Sequence, residues 1–185
     1  GEWKQGAAVG ARDMWMVTLG TGIGGGLVSG GVLQRGSQGF AGEIGHMVVN
    51  PEGPLCPCGK RGCWERYASG SGLAFLGKSD TGESVITAAR AGDKTALGVI
   101  DRFAYWVALG LANLANITDP DTIVIGGGLS QAADVIMSPI GEWFKKLLYA
   151  PDHRRHAALP VAKLGEHAGA IGAALLSTLE DTDGK

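Results

Sequence analysis

The sequence has little net charge, no long apolar run and no cysteine outside one short segment. Its 185 residues carry a formal net charge of −2, and 18% of them are charged. These values predict neither nucleic acid nor an anionic membrane as a partner. The uncharged run from Phe103 to Thr118 contains two asparagines and is too short to span a bilayer comfortably, so we expect a buried helix there.

The three cysteines, Cys56, Cys58 and Cys63, lie within eight residues of one another. An odd number in so tight a cluster predicts metal binding in a reducing compartment, and with no signal peptide visible we expect a cytoplasmic protein. His46 lies ten residues upstream, and three thiols with one imidazole are the ligand set of a tetrahedral zinc site. The alternative is three reduced structural thiols, but Pro57 and the nearby glycines would make a poor apolar core around them.

Two glutamates, Glu43 and Glu65, flank this predicted zinc loop (residues 46–63). Carboxylates and an imidazole beside a rigid loop are suited to hydrogen-bonding the adjacent hydroxyls of a sugar. The alternative for either glutamate is a solvated or supporting role. The other histidines, His153, His156 and His167, are expected at the surface.

Two glycine runs stand out among the 32 glycines. Gly20 to Gly26 lies between strand-like segments and can offer backbone N–H groups to an anion, with the Thr21 hydroxyl as a further donor. It is not a Walker loop, since no Gly-Lys-Ser/Thr follows. Gly126 to Gly128 follows a β-branched run and precedes a predicted helix, where a flat ligand and a phosphate can approach the backbone. The alternatives are a glycine-rich hairpin and a tight strand–helix turn without ligands; together the two runs favour a nucleotide.

The remaining pattern predicts an α/β domain whose ligand lies at the carboxyl ends of strands. Strands are expected first and helices alternating with strands afterwards. The predicted elements are a helix end over residues 1–9, strands over 14–19, 27–29, 32–34, 47–49, 122–125 and 159–164, a hairpin turn at Gly30-Gly31, and helices over 64–76, 84–91, 93–117, 130–148 and 165–179. Asp93 is the expected N-cap of the longest helix, and Asp119-Pro120 its end.

Several motifs resemble those of the ROK family of sugar kinases and sugar-responsive repressors. They are Gly42-Glu-Ile-Gly-His46, Cys56-Pro-Cys-Gly-Lys-Arg-Gly-Cys-Trp-Glu65, Leu19-Gly-Thr-Gly-Ile-Gly-Gly-Gly26 and Ile125-Gly-Gly-Gly-Leu-Ser130. The resemblance covers essentially the whole chain and is greatest to bacterial ATP-dependent glucokinases of the actinobacterial type. It implies the large domain of a ribonuclease H-like, actin-like sugar kinase fold, and phosphorylation of glucose at the 6-hydroxyl.

The resemblance also implies roles for individual residues. Zinc would be held by His46, Cys56, Cys58 and Cys63. Glucose hydroxyls would be bound by Glu43, His46 and Glu65, with one ring nitrogen of His46 on zinc and the other on the sugar. The ATP phosphates, with magnesium, would face Thr21, Gly22, Gly24 and Gly25, and the adenosine would face Gly127 and Gly128. A homodimer or homotetramer is what the family implies.

The sequence departs from the family pattern in its chemistry. Family kinases carry an Asp-x-Gly-Gly-Thr phosphate loop and an Asn-Asp pair whose aspartate is the general base, and neither motif occurs in this sequence. The base is therefore expected upstream of Gly1. Residues 1–164 are expected to form the large sugar- and ATP-binding domain, and residues 165–185 a helix that packs on an amino-terminal domain, followed by a polar tail. The chain alone is expected to lack measurable glucokinase activity.

Other functions remain open at this level. A sugar-sensing repressor of the same family, a kinase for another hexose or an N-acetylhexosamine, and a zinc-stabilised module without a ligand all fit parts of the pattern. A polyphosphate donor is a further alternative to ATP, although relatives that use polyphosphate usually lack the cysteine cluster.

Overall fold

The computed structural model describes residues 1–180, and the predicted polar tail over 181–185 lies outside the described residues. The strands are β1 (Met14–Leu19), β2 (Ile23–Ser29), β3 (Val32–Gln34) and β4 (Thr122–Gly126). The α-helices are α1 (Glu2–Gln5), α2 (Glu65–Ala68), α3 (Gly70–Gly77), α4 (Gly82–Arg90), α5 (Lys94–Thr118), α6 (Ala133–Leu147) and α7 (Ala168–Glu180). Short 3₁₀ turns cover Ile44–His46, Gly128–Ala132, Pro151–His153 and Gly165–His167.

The four strands form one mixed sheet in the order β3-β2-β1-β4. β1 pairs antiparallel with β2 and parallel with β4, and β4 is buried along its whole length, as its β-branched sequence predicts. Because β1 and β4 are parallel neighbours, their carboxyl ends meet at one edge. Gly20 follows β1 and Gly127 follows β4 at this edge, so both glycine runs reach the same place, where ligands of α/β sheets bind.

The long helix α5 covers one face of the sheet and forms the main core with α6. It begins as predicted at Asp93, whose carboxylate accepts a hydrogen bond from the Ala96 N–H at 2.7 Å, and it ends at Asp119 in a left-handed conformation, before Pro120. Its length and composition would allow it to cross a membrane, but half of its apolar window is buried. The prediction of a buried core helix is confirmed.

The opposite face of the sheet carries a smaller apolar cluster around Met14, Val28 and Val124. α7 lies beside this face, separated from it by a cavity of about 520 Å³. Among the described residues α7 contacts α1, where a Cβ added to Gly172 would lie 2.9 Å from the Gly1 nitrogen. The packing of α7 on an amino-terminal domain stays a prediction.

Buried Glu2 joins α1 to the chain that leads into α7. Its Oε2 accepts a hydrogen bond from the Ala7 N–H at 2.7 Å, and its Oε1 accepts one from the Leu164 N–H at 2.6 Å. Burial by itself raises the pKa of this carboxyl group, but the backbone donors, together with nearby positive charge, leave the pKa below its usual value. The ionised Glu2 carboxylate therefore joins two segments that are distant in sequence through hydrogen bonds.

Several predicted elements differ in the structure. Residues 1–9 contain only the short α1, and the helix predicted over 130–148 begins at Ala133, after a 3₁₀ turn. The single helix over 64–76 is broken at Ser69, which has an extended backbone and whose side-chain hydroxyl caps α3 by accepting a hydrogen bond from the Gly72 N–H. The strand over 47–49 is reduced to one bridge, Val48 with Cys63. The strand over 159–164 is likewise replaced by isolated bridges beside β4, because Pro160 has no N–H to donate to a ladder.

Candidate functional site

The predicted zinc ligands converge in space. One ligand atom from each of His46, Cys56, Cys58 and Cys63 lies within 4.8 Å of the others. Cys58 Sγ is 3.5 Å from Cys63 Sγ, and Cys56 Sγ is 3.8 Å from His46 Nδ1. A zinc ion with Zn–S bonds of about 2.3 Å separates its sulfurs by about 3.8 Å, so these four side chains fit a tetrahedral metal ion.

The pKa values of the three thiols also bear on cation binding. Burial raises the pKa of Cys56, and it raises the pKa of Cys63 to about 12 with help from the neighbouring thiols. The backbone N–H of Lys60 lowers the pKa of the exposed Cys58. Two buried thiols thus lie beside a third, and a bound cation would stabilise the thiolates that metal ligation requires.

Local backbone geometry holds this loop in place. Gly62 has a φ of +67°, and a Cβ added there would overlap the carbonyl oxygen of Asn50. The carbonyl of Gly62 accepts a hydrogen bond from the Val49 N–H, and the Cys56 N–H donates to the carbonyl of Lys60 at 2.7 Å. The glycine therefore lets two parts of the loop approach closely enough for the ligands to meet.

Glu65 connects the metal ligands to helix α2. Its Oε1 lies 3.4 Å from Cys56 Sγ and 3.8 Å from His46 Nδ1. The helix starts at this glutamate, directly after Trp64, which is fully buried and donates a hydrogen bond from Nε1 to the carbonyl of Trp106 at 2.7 Å. The side chain of Glu65 retains 19% exposure, which leaves it accessible to a small polar ligand.

The third predicted sugar ligand, Glu43, is exposed and precedes the 3₁₀ turn that ends at His46. The His46 N–H donates to the carbonyl of Glu43 at 3.2 Å, so the turn carries these two residues at its ends. The structure therefore brings His46 and Glu65 together directly, and supports Glu43 on the same turn as His46.

A cleft of about 470 Å³ opens at the carboxyl ends of β1 and β4. Thr21 and Gly128 line it, together with the first residues of α3 and α4. Backbone N–H groups at helix N-termini and glycine turns suit anionic groups such as phosphate. This cleft is the place that the two glycine runs predicted.

The other predicted nucleotide residues do not line the cleft. β2 begins at Ile23, so the predicted loop over 20–26 is shortened to Gly20–Gly22, and Gly24 and Gly25 pair with Thr18 and Val17 inside the sheet. A Cβ on Gly25 would lie 2.6 Å from Ile44 Cδ1. Gly25 therefore lets the turn Ile44–His46 pack closely on the sheet.

Gly22 and Gly127 each lie where a side chain would meet another part of the chain. An added Cβ on Gly127, whose φ is +82°, would lie 2.5 Å from the carbonyl oxygen of Leu19, so this glycine permits close approach to the end of β1. A Cβ on Gly22 would lie 2.9 Å from Glu65 Oε2. The loop after β1 thus reaches the carboxylate beside the metal ligands.

Sequence reasoning missed the residues that the helices contribute to the cleft. Ser71 and Thr81 line it at the starts of α3 and α4, and Arg90 lines it at the end of α4. The N-cap signals of Ser69 and Thr81 could have located these helix starts. The position of Arg90 depends on tertiary structure, since its guanidinium pairs with Asp134 of α6 at 2.7 and 2.8 Å.

Comparison with protein families gives a match to the ROK family over residues 1–179. The chain belongs to the ROK family. It is 42% identical over 193 aligned positions to a glucokinase of Halalkalibacterium halodurans, with 93% of this chain and 58% of that protein covered. It is 37% identical to an N-acetylmannosamine kinase of Shigella boydii, with 89% and 56% covered. The chain thus spans less than two thirds of the length of these ROK relatives.

Solved ROK structures share the fold. A ROK family glucokinase of Streptomyces griseus, crystallised with glucose and AMPPNP, is 38% identical and has a TM-score of 0.88, with 95% of this chain and 63% of that chain covered. A ROK family transcriptional regulator, a homologue of the E. coli MLC protein, is 26% identical with a TM-score of 0.80, covering 96% and 48%. The predicted ribonuclease H-like, actin-like α/β fold is confirmed.

Proposed function

We propose that this ROK protein is an ATP-dependent hexose kinase, with glucose as its substrate. The observation that carries the proposal is the contact between the two candidate sites. The loop after β1, at the floor of the cleft, abuts Glu65 at Gly22, while the other oxygen of Glu65 faces the metal ligands. A hydroxyl-binding carboxylate therefore lies next to a phosphate-binding loop, which is the arrangement that phosphoryl transfer to a sugar requires.

In this proposal Glu43, His46 and Glu65 bind the sugar hydroxyls. The two carboxylates accept hydrogen bonds from adjacent hydroxyls. Nδ1 of His46 lies toward Cys56, which leaves Nε2 for the sugar if the metal ligand is Nδ1. The three side chains belong to two short elements whose relative position depends on the cysteine loop between them. Their geometry should therefore depend on the integrity of that loop.

Zinc is the metal that we propose for the four-ligand cluster. Three thiols and one imidazole are the donors of closed structural zinc sites, and all four positions are filled by the protein. When bound, zinc supplies positive charge that neutralises the thiolates and fixes the loop. The role is structural, since His46 and the start of α2 are then held for sugar binding.

The cleft is proposed to bind ATP. Thr21 and the backbone at Gly128 supply donors for the phosphates, and the N-termini of α3 and α4 supply favourable dipoles. Gly24, Gly25 and Gly127 would act by shaping this backbone. Magnesium and a general base, which we assign to no residue of this chain, complete the proposal.

The test is hexose-dependent release of ADP by the intact protein that contains this chain. Glucose should give the highest kcat/KM of a panel that includes mannose, fructose and the N-acetylated hexosamines. A higher value for N-acetylmannosamine would instead support the specificity named for the Shigella boydii relative. Sugar binding without ATP binding or ADP release would overturn the kinase proposal in favour of a sugar sensor.

A further inference from the structure

The two oxygens of the Glu65 carboxylate face different parts of the molecule. Oε1 lies 3.4 Å from Cys56 Sγ. On the other side, a Cβ added to Gly22 would lie 2.9 Å from Oε2, a separation that real Cβ atoms essentially never show. Gly22 therefore leaves Glu65 the space it occupies, and any larger residue there would push the carboxylate toward a new position.

The same loop is fastened to helix α3 by two further hydrogen bonds. The Gly70 N–H donates to the carbonyl of Gly20 at 2.7 Å. The Ser71 hydroxyl donates to the carbonyl of Thr21 at 3.1 Å. Gly20 and Thr21 are thus hydrogen-bonded to the start of α3, and Gly22 lies beside Glu65, which leads into that helix.

That segment is itself rigidly connected. The Ser69 hydroxyl donates to the carbonyl of Glu65 at 2.6 Å and accepts a hydrogen bond from the Gly72 N–H at 3.1 Å. A Cβ on Gly72 would lie 2.5 Å from the carbonyl carbon of Tyr67. The break between α2 and α3 is therefore tightly packed, and displacement of α3 at Ser71 would be transmitted to Glu65.

From these contacts we infer that the loop Gly20–Gly22 couples nucleotide binding to sugar binding through Glu65. Gly22 acts as a positioning residue for the Glu65 carboxylate, although it lies on the nucleotide side of the site. The inference rests on the proposed function, because it takes the cleft as the nucleotide site and Glu65 as a sugar ligand. It adds a route of coupling within this chain, which needs no closure of a second domain.

The sign of the coupling follows from the contacts. Thr21 is exposed and lines the cleft, so a phosphate bound there stabilises the loop conformation that is hydrogen-bonded to α3. In that conformation Gly22 leaves Glu65 its position, so a sugar that binds second meets a carboxylate already in place. Linkage requires the reciprocal effect, in which the sugar raises the affinity for the nucleotide by the same factor.

The experiment is calorimetric titration of glucose into this zinc-loaded chain, with and without saturating ADP and magnesium. Saturation is established by a separate ADP titration. We expect ADP to tighten glucose binding by at least about fivefold, the lower end of usual coupling factors. Gly22→Ala should weaken glucose binding and remove the effect of ADP. Gly26→Ala is the matched control, because an added Cβ there meets nothing within 4 Å, and it should behave as the parent does.

Ser71→Ala is a second variant that places no new atom near Glu65. It should reduce the effect of ADP while leaving glucose binding in the absence of ADP close to that of the parent, which a general loss of stability would not do. Two results would overturn this inference and leave the proposed function standing. One is that glucose and ADP both bind the parent, but independently of each other. The other is that the Gly22→Ala chain retains the parental coupling. If the zinc-loaded parent binds no glucose or no ADP, the proposed sites in this chain fail, and the inference fails with them.

Discussion

Oε1 of Glu65 lies 3.4 Å from the Sγ of Cys56, close enough for the thiol to donate a hydrogen bond to the carboxylate. Metal binding would remove the thiol proton, because metal-bound cysteine is a thiolate. Glu65 would then lose this donor, and its oxygen would be available to a sugar hydroxyl. The metal cluster and the candidate sugar ligand are therefore linked through one side chain.

Metal removal should consequently affect ligand binding as well as stability. Treatment with a strong chelator should lower the thermal midpoint of the chain and weaken glucose binding, because the loop that carries His46 and Glu65 loses its four-ligand cross-link. Calorimetry and metal analysis on the same sample measure both effects. Adding back one equivalent of zinc should restore them. A chelated, metal-free chain with unchanged glucose affinity would contradict the proposed role of the metal.

Packing between Trp64 and Gly110 gives a second prediction. A Cβ on Gly110 would overlap the buried Trp64 ring, so Gly110→Ala should lower the free energy of unfolding by about 1–3 kcal/mol or more. Gly98 lies in the same helix with open space around it, and Gly98→Ala should raise stability by about 0.5–1 kcal/mol. Urea denaturation measures both. Equal effects of the two substitutions would mean that Trp64 does not occupy this position.

Glu2 predicts a specific dependence of stability on pH. Its pKa in the folded chain is below its usual value, so its stabilising contribution is present above the unfolded pKa and is lost as pH falls through the folded pKa. Glu2→Gln should cost about 1.5–3 kcal/mol near neutral pH.

Thermal midpoints between neutral and acidic pH measure this contribution. The difference between the parent and Glu2→Gln should shrink as the pH falls. Glu52→Gln, at an exposed position, serves as the control and should show little difference at any pH. If the difference in thermal midpoint between the parent and Glu2→Gln stays constant down to the most acidic pH, the stabilising role of the ionised Glu2 carboxylate is contradicted.

The ion pair between Arg90 and Asp134 should influence the cleft. Arg90 also donates to the carbonyl of Gln131 at 2.9 Å, so it joins α4 to the turn that carries Gly128. Arg90→Ala should therefore weaken ADP binding, and exchange of the two charges in Arg90→Asp with Asp134→Arg should restore part of it. Arg102→Ala, at an exposed arginine that does not line this cleft, should leave ADP affinity unchanged. Equal ADP affinities for parent and Arg90→Ala would exclude this role.

The sequence predicts best where one residue type has one strong physical preference. The spacing of Cys56, Cys58 and Cys63 predicted a cluster of possible metal ligands, which the structure brings together, and the β-branched run of β4 predicted the buried parallel strand, because both signals are local. The extent of the glycine loop was wrong, since β2 begins at Ile23, and an added Cβ on Gly25 would meet Ile44 and Gly42 while one on Gly24 would meet the Thr18 hydroxyl. Nothing local to residues 23–26 reveals these contacts.

Contacts between distant segments explain the other differences. The pairing of Arg90 with Asp134 joins two helices that are 44 residues apart in sequence, and no pattern within either helix specifies it. The break at Ser69 is partly readable, because serine followed by glycines is a good N-cap signal. The prediction nevertheless gave one helix over residues 64–76. The contact of Gly22 with Glu65 depends on the whole arrangement of sheet, loop and helix.

The most direct test of the account is the glucose affinity of the zinc-loaded chain with and without the Glu65 carboxylate. Glu65→Gln keeps the size of the side chain and removes its charge, and it should weaken glucose binding by about 1.5–3 kcal/mol, which is roughly tenfold or more. Glu52→Gln, an exposed substitution within the cysteine loop, is the matched control. An unchanged glucose affinity in Glu65→Gln, with the metal still bound, would contradict the assignment of Glu65 to the sugar site.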